Sequence, residues 1–155
     1  MNKKDKEIID LVIFHCEMFE FGFSFIDPRP IAQLYNMFAG FHLISTMFLI
    51  KDQRDKDSPM GGFCYRVLKP LHLEHLLDPI KKIIDTPLGD TTFGDYIRRS
   101  RSKLATHGDL SFNSLPLTER KITFNNREVA KFQDLLAELA KEVRILKNNL
   151  EKYLH

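Results

Sequence analysis

The stretch REVAKFQDLLAELAKEVRILKNNLEKYL, residues 127–154, decides the fold of this chain. Its apolar residues recur at alternating steps of three and four, which is typical of a helix that packs along one face. The seam comprises Val129, Phe132, Leu136, Leu139, Val143, Leu146, Leu150 and Tyr153, and Leu135 and Ile145 are expected to widen it. The pattern predicts a long C-terminal helix that packs on other helices of a bundle or on a second subunit.

The N-terminal half also shows helical apolar spacing. A first helix is predicted over residues 4–20, and the Phe-rich run 19–25 is interpreted as a helix end followed by an extended connector. A second helix over 31–54 is apolar on nearly all sides, as a central helix must be. Residues 31–50 carry no charge, but their five polar side chains favour a buried helix of a soluble domain over membrane contact. His42 within it is interpreted as a hydrogen-bonded core residue.

Proline and glycine divide the rest of the chain. A third helix over 64–85 contains Pro70 and Pro79, which predict a kink or a split because each proline removes a backbone hydrogen bond. Residues 86–90 are interpreted as a connector. A basic helix over 93–107, capped by Thr91 or Thr92 and ended by Gly108, precedes a long irregular connection over 109–126. The sum predicts a single-domain, all-α bundle of four to five main helices.

Composition limits the classes of function. The formal net charge is only +2, which argues against a protein that coats nucleic acid with a broad basic face but leaves room for a local patch. The chain has two cysteines, Cys16 and Cys64, without the close spacing of a metal motif, so neither a zinc site nor a disulfide framework is predicted, and Cys16 is expected to be a small buried hydrophobe. Charged residues interrupt any signal-like segment, so a reducing, cytoplasmic setting is the expectation.

A local basic patch lies on the fourth predicted helix. Its cations are Arg98, Arg99, Arg101 and Lys103, and His107 follows in the last turn. Arginine can hold a phosphate and histidine can move a proton near neutral pH. The plainer interpretation is a solvated helix face that ends in a histidine stabilised by the helix dipole.

Other polar residues give weaker signals. His72 and His75 share a helix face, but no carboxylate or cysteine cluster completes a metal site, so neither a metal nor a cofactor is predicted. Asp95 is placed to pair with Arg98 or Arg99. Tyr96 has the chemistry to stack on a base, but a core or interface role is favoured.

The segment YIRRSRSKLATHGD, residues 96–109, resembles the signature of HEPN-domain proteins, which are small helical bundles. Their motif is an arginine, often followed by a polar residue, and a histidine after four to six residues; here five residues separate Arg101 from His107. The resemblance implies metal-independent RNA cleavage, with His107 as acid or base and Arg101 as the phosphate clamp. Ser102 takes the polar position, where active members often carry asparagine, aspartate or histidine. Arg98, Arg99, Ser102 and Lys103 are the expected substrate-binding residues.

Helix geometry adds a condition to this hypothesis. Six positions on a regular helix turn through about 600°, so Arg101 and His107 point roughly 120° apart and lie about 9 Å apart along the axis. One helix alone does not aim both at a single phosphate. The resemblance implies a homodimer or higher homo-oligomer with the site at its interface. Two alternatives stay open: a non-catalytic module for nucleic acid, nucleotide or a protein partner, as in toxin–antitoxin pairs, and a structural oligomer joined by the C-terminal heptads.

Overall fold

Two long helices frame the molecule. The computed structural model describes residues 2–24, 40–49, 61–98 and 126–155. Helix α1 spans Lys3–Ser24, and the C-terminal helix, α4, spans Asn126–Glu151. Helix α1 continues through most of the Phe-rich run, so the helix end predicted at residue 20 was too early, and the rest of the predicted connector lies outside the described residues. The all-α helical bundle with a long C-terminal helix is confirmed.

Helices α1 and α4 pack against each other along their lengths. Four leucine and valine residues of the predicted seam are fully or almost fully buried: Leu139, Val143, Leu146 and Leu150. Ion pairs border this contact, with Arg144 Nε 2.7 Å from Glu20 Oε1 and Lys147 Nζ 3.4 Å from Glu17 Oε1. The heptad seam of α4 therefore packs within the chain.

Two positions at the edge of the seam differ from prediction. Ile145 is 39% exposed and Tyr153 is 43% exposed, whereas Leu135 is buried as expected. Ile145 lies outside the 3–4 spacing of the seam, so its direction on the helix takes it away from α1. Tyr153 lies beyond the end of α4 at Glu151, where the chain passes into a turn. The predicted helix end at 154 is therefore three residues too late.

The predicted third helix is split, as its prolines indicate. Helix α2, Phe63–Leu68, is followed by 3₁₀ turns Lys69–Leu71 and Glu74–Leu77 and by helix α3, Asp78–Ile84. Pro70 and Pro79 each lie at the first or second position of a new helical element, where a missing N–H breaks no helical hydrogen bond. His72 lies between the two 3₁₀ turns with a left-handed φ of 57°.

A small β-hairpin replaces the connector predicted at 86–90. Strands β1, Pro87–Leu88, and β2, Thr91–Thr92, are antiparallel, and Leu88 lies opposite Thr91. Gly89 in the turn has a φ of 62°, a conformation that glycine adopts at little cost. The fully buried Leu88 anchors the hairpin to the core.

The predicted second helix is described only over residues 40–49. Residues 40–44 are α-helical and Ser45–Leu49 form a π-helix. Gly62, with a φ of 94°, lies so close to this π-helix that a Cβ there would overlap the carbonyl oxygen of Met47. His42 is exposed, so its interpretation as a core residue was wrong. The neighbouring apolar residues Phe41, Ile44 and Phe48 take the buried face and leave position 42 outside.

Aromatic rings join the central helical residues to α4. Phe132 lies 5.1 Å from Tyr96, 5.5 Å from Phe93 and 5.9 Å from Phe41, centroid to centroid. These tilted and edge-to-face contacts form an aromatic cluster of four rings, Phe41, Phe93, Tyr96 and Phe132. Tyr96, for which a core or interface role is favoured, is half-buried and packs against the core. The cluster fixes the first turn of the basic helix on the bundle.

The two cysteines are free and buried, as predicted for Cys16. Burial raises the pKa of the Cys16 thiol to about 12, with a smaller contribution from the nearby Glu20 carboxylate. Burial also raises the pKa of Cys64 well above its ordinary value. Neither thiol has the reactive thiolate character of a catalytic cysteine. Across the parts of the chain that the structure describes, no helix combines the length and apolarity needed to cross a membrane.

Candidate nucleic-acid-binding site

The structure describes the first part of the predicted basic helix, residues 93–98. Of the expected site residues, it places Arg98. Arg99, Arg101, Ser102, Lys103 and His107 lie outside the described residues. The convergence of Arg101 and His107 therefore stays a prediction.

The β-hairpin and a threonine cap start this helix. Phe93 N–H donates to Thr86 O at 2.9 Å, which closes the end of the hairpin. The backbone N–H of Asp95 donates to Thr92 Oγ1 at 3.2 Å. Of the two threonines expected to cap the helix, Thr92 is therefore the one that does so. Phe93 and Ile97 are fully buried and anchor one face of the turn. Arg98 consequently lies on the outer face.

Arg98 is exposed and paired within its own helix. Its guanidinium Nη2 donates to Asp95 Oδ1 at 2.5 Å, and 56% of the Arg98 side chain is exposed. This confirms the predicted pairing of Asp95 with Arg98. A pair so open to solvent stabilises the fold little, because water and salt screen it. The guanidinium can therefore exchange Asp95 for a phosphate at modest cost.

An open cleft of about 270 Å³ lies beside this turn. Most of the lining residues come from the π-helix, α3 with its cap Asp85, and the start of the basic helix, and Gly61 and Thr92 of β2 complete the set: Phe48, Leu49, Gly61, Lys81, Ile84, Asp85, Thr92, Gly94, Asp95 and Arg98. Gly94 lets the basic helix approach α3, since a Cβ there would press on the Ile84 side chain. The cleft thus lies where three elements meet.

The charges around the cleft are balanced. Lys81 Nζ lies 2.8 Å from Asp85 Oδ2, one helical turn away. The hydrogen bond to Asp85 and the charge of that carboxylate raise the pKa of Lys81. With Arg98 and Asp95, the cleft holds two cations and two carboxylates. An anion bound here must compete with Asp85 and Asp95, so the described cleft alone is no strong phosphate site.

Sequence reasoning missed Lys81, Asp85 and the close approach at Gly94. The spacing of Lys81 and Asp85 could have indicated a helical ion pair. Nothing in the sequence indicates that α3 lies against the basic helix. That neighbourhood depends on the chain reversal made by the hairpin.

The histidines weighed as metal ligands lie apart from this cleft's lining. His72 and His75 are both exposed. Across the described ranges, no three or more histidine, cysteine, aspartate or glutamate side chains are grouped as a metal ion requires.

Comparison with protein-family models, with curated proteins and with solved structures finds no match to this chain. The HEPN resemblance therefore stays a prediction that rests on residues 96–109.

Proposed function

We propose that this chain is an HEPN-like protein that acts on RNA and cleaves it without a metal ion. The observation that carries the proposal is the motif of Arg101, five residues and His107, which follows a capped helical turn of an all-α bundle. The bundle architecture and the exposed position of Arg98, just before the motif, support it.

The chemistry uses the two motif residues in different ways. His107 takes the proton of a ribose 2′-OH, and the resulting oxygen attacks the adjacent phosphorus. Arg101 stabilises the additional negative charge of the pentacoordinate phosphate. The bond to the 5′-oxygen then breaks, and a protonated histidine returns a proton to that oxygen. The products are a cyclic 2′,3′-phosphate and a 5′-hydroxyl.

The proposed site requires two copies of the chain. On a regular helix, Arg101 and His107 of one copy would point in different directions. Across a two-fold axis, Arg101 of one copy and His107 of the other can face the same phosphate. Arg98 lies one turn before the motif and adds a phosphate contact next to the cleaved bond.

A mixing experiment tests this arrangement. Arg101→Ala and His107→Ala proteins are each expected to be inactive on a labelled single-stranded RNA. Random exchange of subunits makes half of the dimers mixed, and each mixed dimer holds one intact site, so about a quarter of wild-type activity returns. Activity that stays absent after verified subunit exchange contradicts a shared site. A wild-type protein that is monomeric at micromolar concentration contradicts it as well.

The second candidate function is a non-catalytic binding module in the cytoplasm, for nucleic acid, nucleotide or a protein partner. Two observations favour it: serine at position 102, and the carboxylates that already pair with Lys81 and Arg98. If wild type and the two alanine variants bind RNA equally and none cuts it, this function replaces the first. The third alternative, a structural oligomer through the C-terminal heptads, loses support because that seam is buried against α1.

A further inference from the structure

The cleft beside the basic helix suits a neutral ligand better than an ion. Its lining carries two cations and two carboxylates, so neither an anion nor a cation meets a surplus of opposite charge there. Phe48, Leu49 and Ile84 add apolar surface, and Gly61 and Gly94 contribute backbone without a side chain. Apolar surface with a few convergent polar groups is typical of a site for a small organic ligand.

The size of the cleft limits what it can hold. About 270 Å³ is room for roughly nine water molecules at ~30 Å³ each. Sites that enclose a complete drug-sized ligand run from about 300 to 1,000 Å³. The cleft is therefore large enough for one nucleobase, whereas the sugar and phosphate of a nucleotide would stay outside it.

The less exposed charged group differs between the two walls of the cleft. On the α3 wall, the Lys81 side chain is 36% exposed and that of Asp85 is 59% exposed. On the wall formed by the basic helix, Asp95 is 39% exposed and Arg98 is 56% exposed. A cation on one wall thus lies across from a carboxylate on the other. Asp95 Oδ1 accepts from Arg98, and Oδ2 accepts no hydrogen bond from the described residues.

Among the four RNA bases, guanine has the edge that matches this arrangement. Its N1–H and N2 amino group are neighbouring donors, and the two oxygens of one carboxylate can accept from both. Its O6 and N7 are neighbouring acceptors, which a lysine or an arginine can reach. Adenine, cytosine and uracil each offer a carboxylate only one donor group, which lies beside an acceptor that repels it.

We propose that the cleft binds a guanine base, with Asp95 accepting from N1–H and the N2 amino group and Lys81 donating to O6 and N7. Asp95 then exchanges Arg98 for the base, and Arg98 becomes available to a phosphate. Both ion pairs are open to water, so their exchange costs little. Arg98 precedes Arg101 by three positions, about 4.5 Å along a regular helix, so one nucleotide can reach both the cleft and the motif. The inference rests on the proposed function where it takes the guanine from RNA.

Nucleoside 5′-monophosphates test the base preference of the full chain without cleavage. In calorimetry, we expect the guanosine compound to bind at least about tenfold more tightly than the inosine compound, which lacks only the N2 amino group. The adenosine, cytidine and uridine compounds should bind more weakly still. The amide of Asp95→Asn donates as well as accepts, so this variant should prefer the xanthosine compound, whose C2 carbonyl replaces the amino group. Asp10→Asn, at an exposed position of α1, is the matched control and should keep the guanine preference.

Lys81→Met keeps the test valid if Asp95→Asn fails to fold. It removes the ammonium group and keeps most of the side-chain stem, and it should weaken binding of the guanosine compound at least about fivefold. Lys141→Met, at an exposed position of α4, should leave that affinity unchanged. Equal affinity of the wild type for the guanosine and inosine compounds overturns the proposal. A guanine preference that both Asp95→Asn and Lys81→Met leave unchanged overturns it as well.

A uridine RNA with a single guanosine separates this inference from the proposed cleavage. Cleavage next to the guanosine that Asp95→Asn abolishes supports both. Cleavage at all positions alike, without guanine preference in calorimetry, overturns the inference and leaves the proposed function standing. Guanine-selective binding by a chain that cuts no RNA overturns the proposed function and assigns the cleft to a free guanine nucleotide.

Discussion

Truncation of Leu139 to alanine tests the burial of α4 in the core. Leu139 is fully buried, and the buried residues Leu135 and Val143 lie one helical turn to either side of it. Leu139→Ala removes buried methyl groups and leaves a cavity that rigid helical neighbours fill only in part. The expected loss in the free energy of unfolding is about 3 kcal/mol, within the range known for buried leucines. For a chain of this size the melting temperature should fall by roughly 6–12 °C.

Ile145→Ala is the matched control on the same helix. Ile145 is 39% exposed, so fewer of its atoms leave a packed environment on truncation. The gain in helix propensity from isoleucine to alanine offsets part of that loss. We expect a change below about 1 kcal/mol in urea unfolding followed by circular dichroism. If the two variants lose equal stability, or Ile145→Ala loses more, the orientation of α4 described here is wrong.

Four further predictions concern other parts of the fold. Gly62→Ala should destabilise the chain by several kcal/mol because its Cβ meets the π-helix backbone, whereas Gly89→Ala, exposed and also at positive φ, should cost about 1–2 kcal/mol in thermal unfolding. The Cys16 thiol has a pKa of about 12 in the folded chain against an ordinary value of 9.0. The contribution of the protonated Cys16 thiol to the free energy of unfolding is complete below pH 9 and is lost as the pH rises toward 12. Cys16→Ala should therefore reduce the loss of stability on going from pH 8 to pH 11. Both Cys16 and Cys64 should react with a thiol reagent at pH 8 only after unfolding, and fast reaction in native buffer would refute their burial. Thr92→Ala should lower the free energy of unfolding by about 1 kcal/mol. Thr92→Ser should retain most of this capping stabilisation, because a serine hydroxyl accepts the same hydrogen bond.

Much of the fold follows from local sequence rules. The heptad spacing predicted α4, and Pro70 and Pro79 predicted where the third helix divides. Both rules describe how a residue acts on its own helix, through side-chain direction or through a missing N–H. Such effects depend little on the rest of the chain.

Features that depend on distant neighbours were missed. The hairpin at Pro87–Thr92 has strands of two residues, too short to show an alternating pattern. His42 lies in an apolar stretch, and only the orientation of residues 40–44 on the bundle decides that it is exposed. The error at Ile145 is different, because its place outside the 3–4 spacing of the seam is a local feature that already directs it away from the buried face.

The candidate site shows the same division. The cap at Thr92 and the pairing of Asp95 with Arg98 are contacts within one turn, and both follow from spacing. The cleft between α3 and the basic helix lies between segments that the hairpin folds together, so no sequence pattern indicates that Lys81 and Arg98 line the same cleft. A sequence motif indicates which chemistry its residues can perform. Whether Arg101 and His107 come together at one site depends on tertiary and quaternary contacts.

The most direct test of the proposed function is RNA cleavage in EDTA. Wild-type protein should cut a labelled single-stranded RNA to products with a cyclic 2′,3′-phosphate. His107→Ala and Arg101→Ala should each lower the rate at least about 100-fold while RNA binding persists. His75→Ala and Arg127→Ala, both at exposed positions, are the matched controls and should cut at the wild-type rate. Wild-type protein that leaves the RNA intact, or cleavage that survives both motif substitutions, would contradict the proposal.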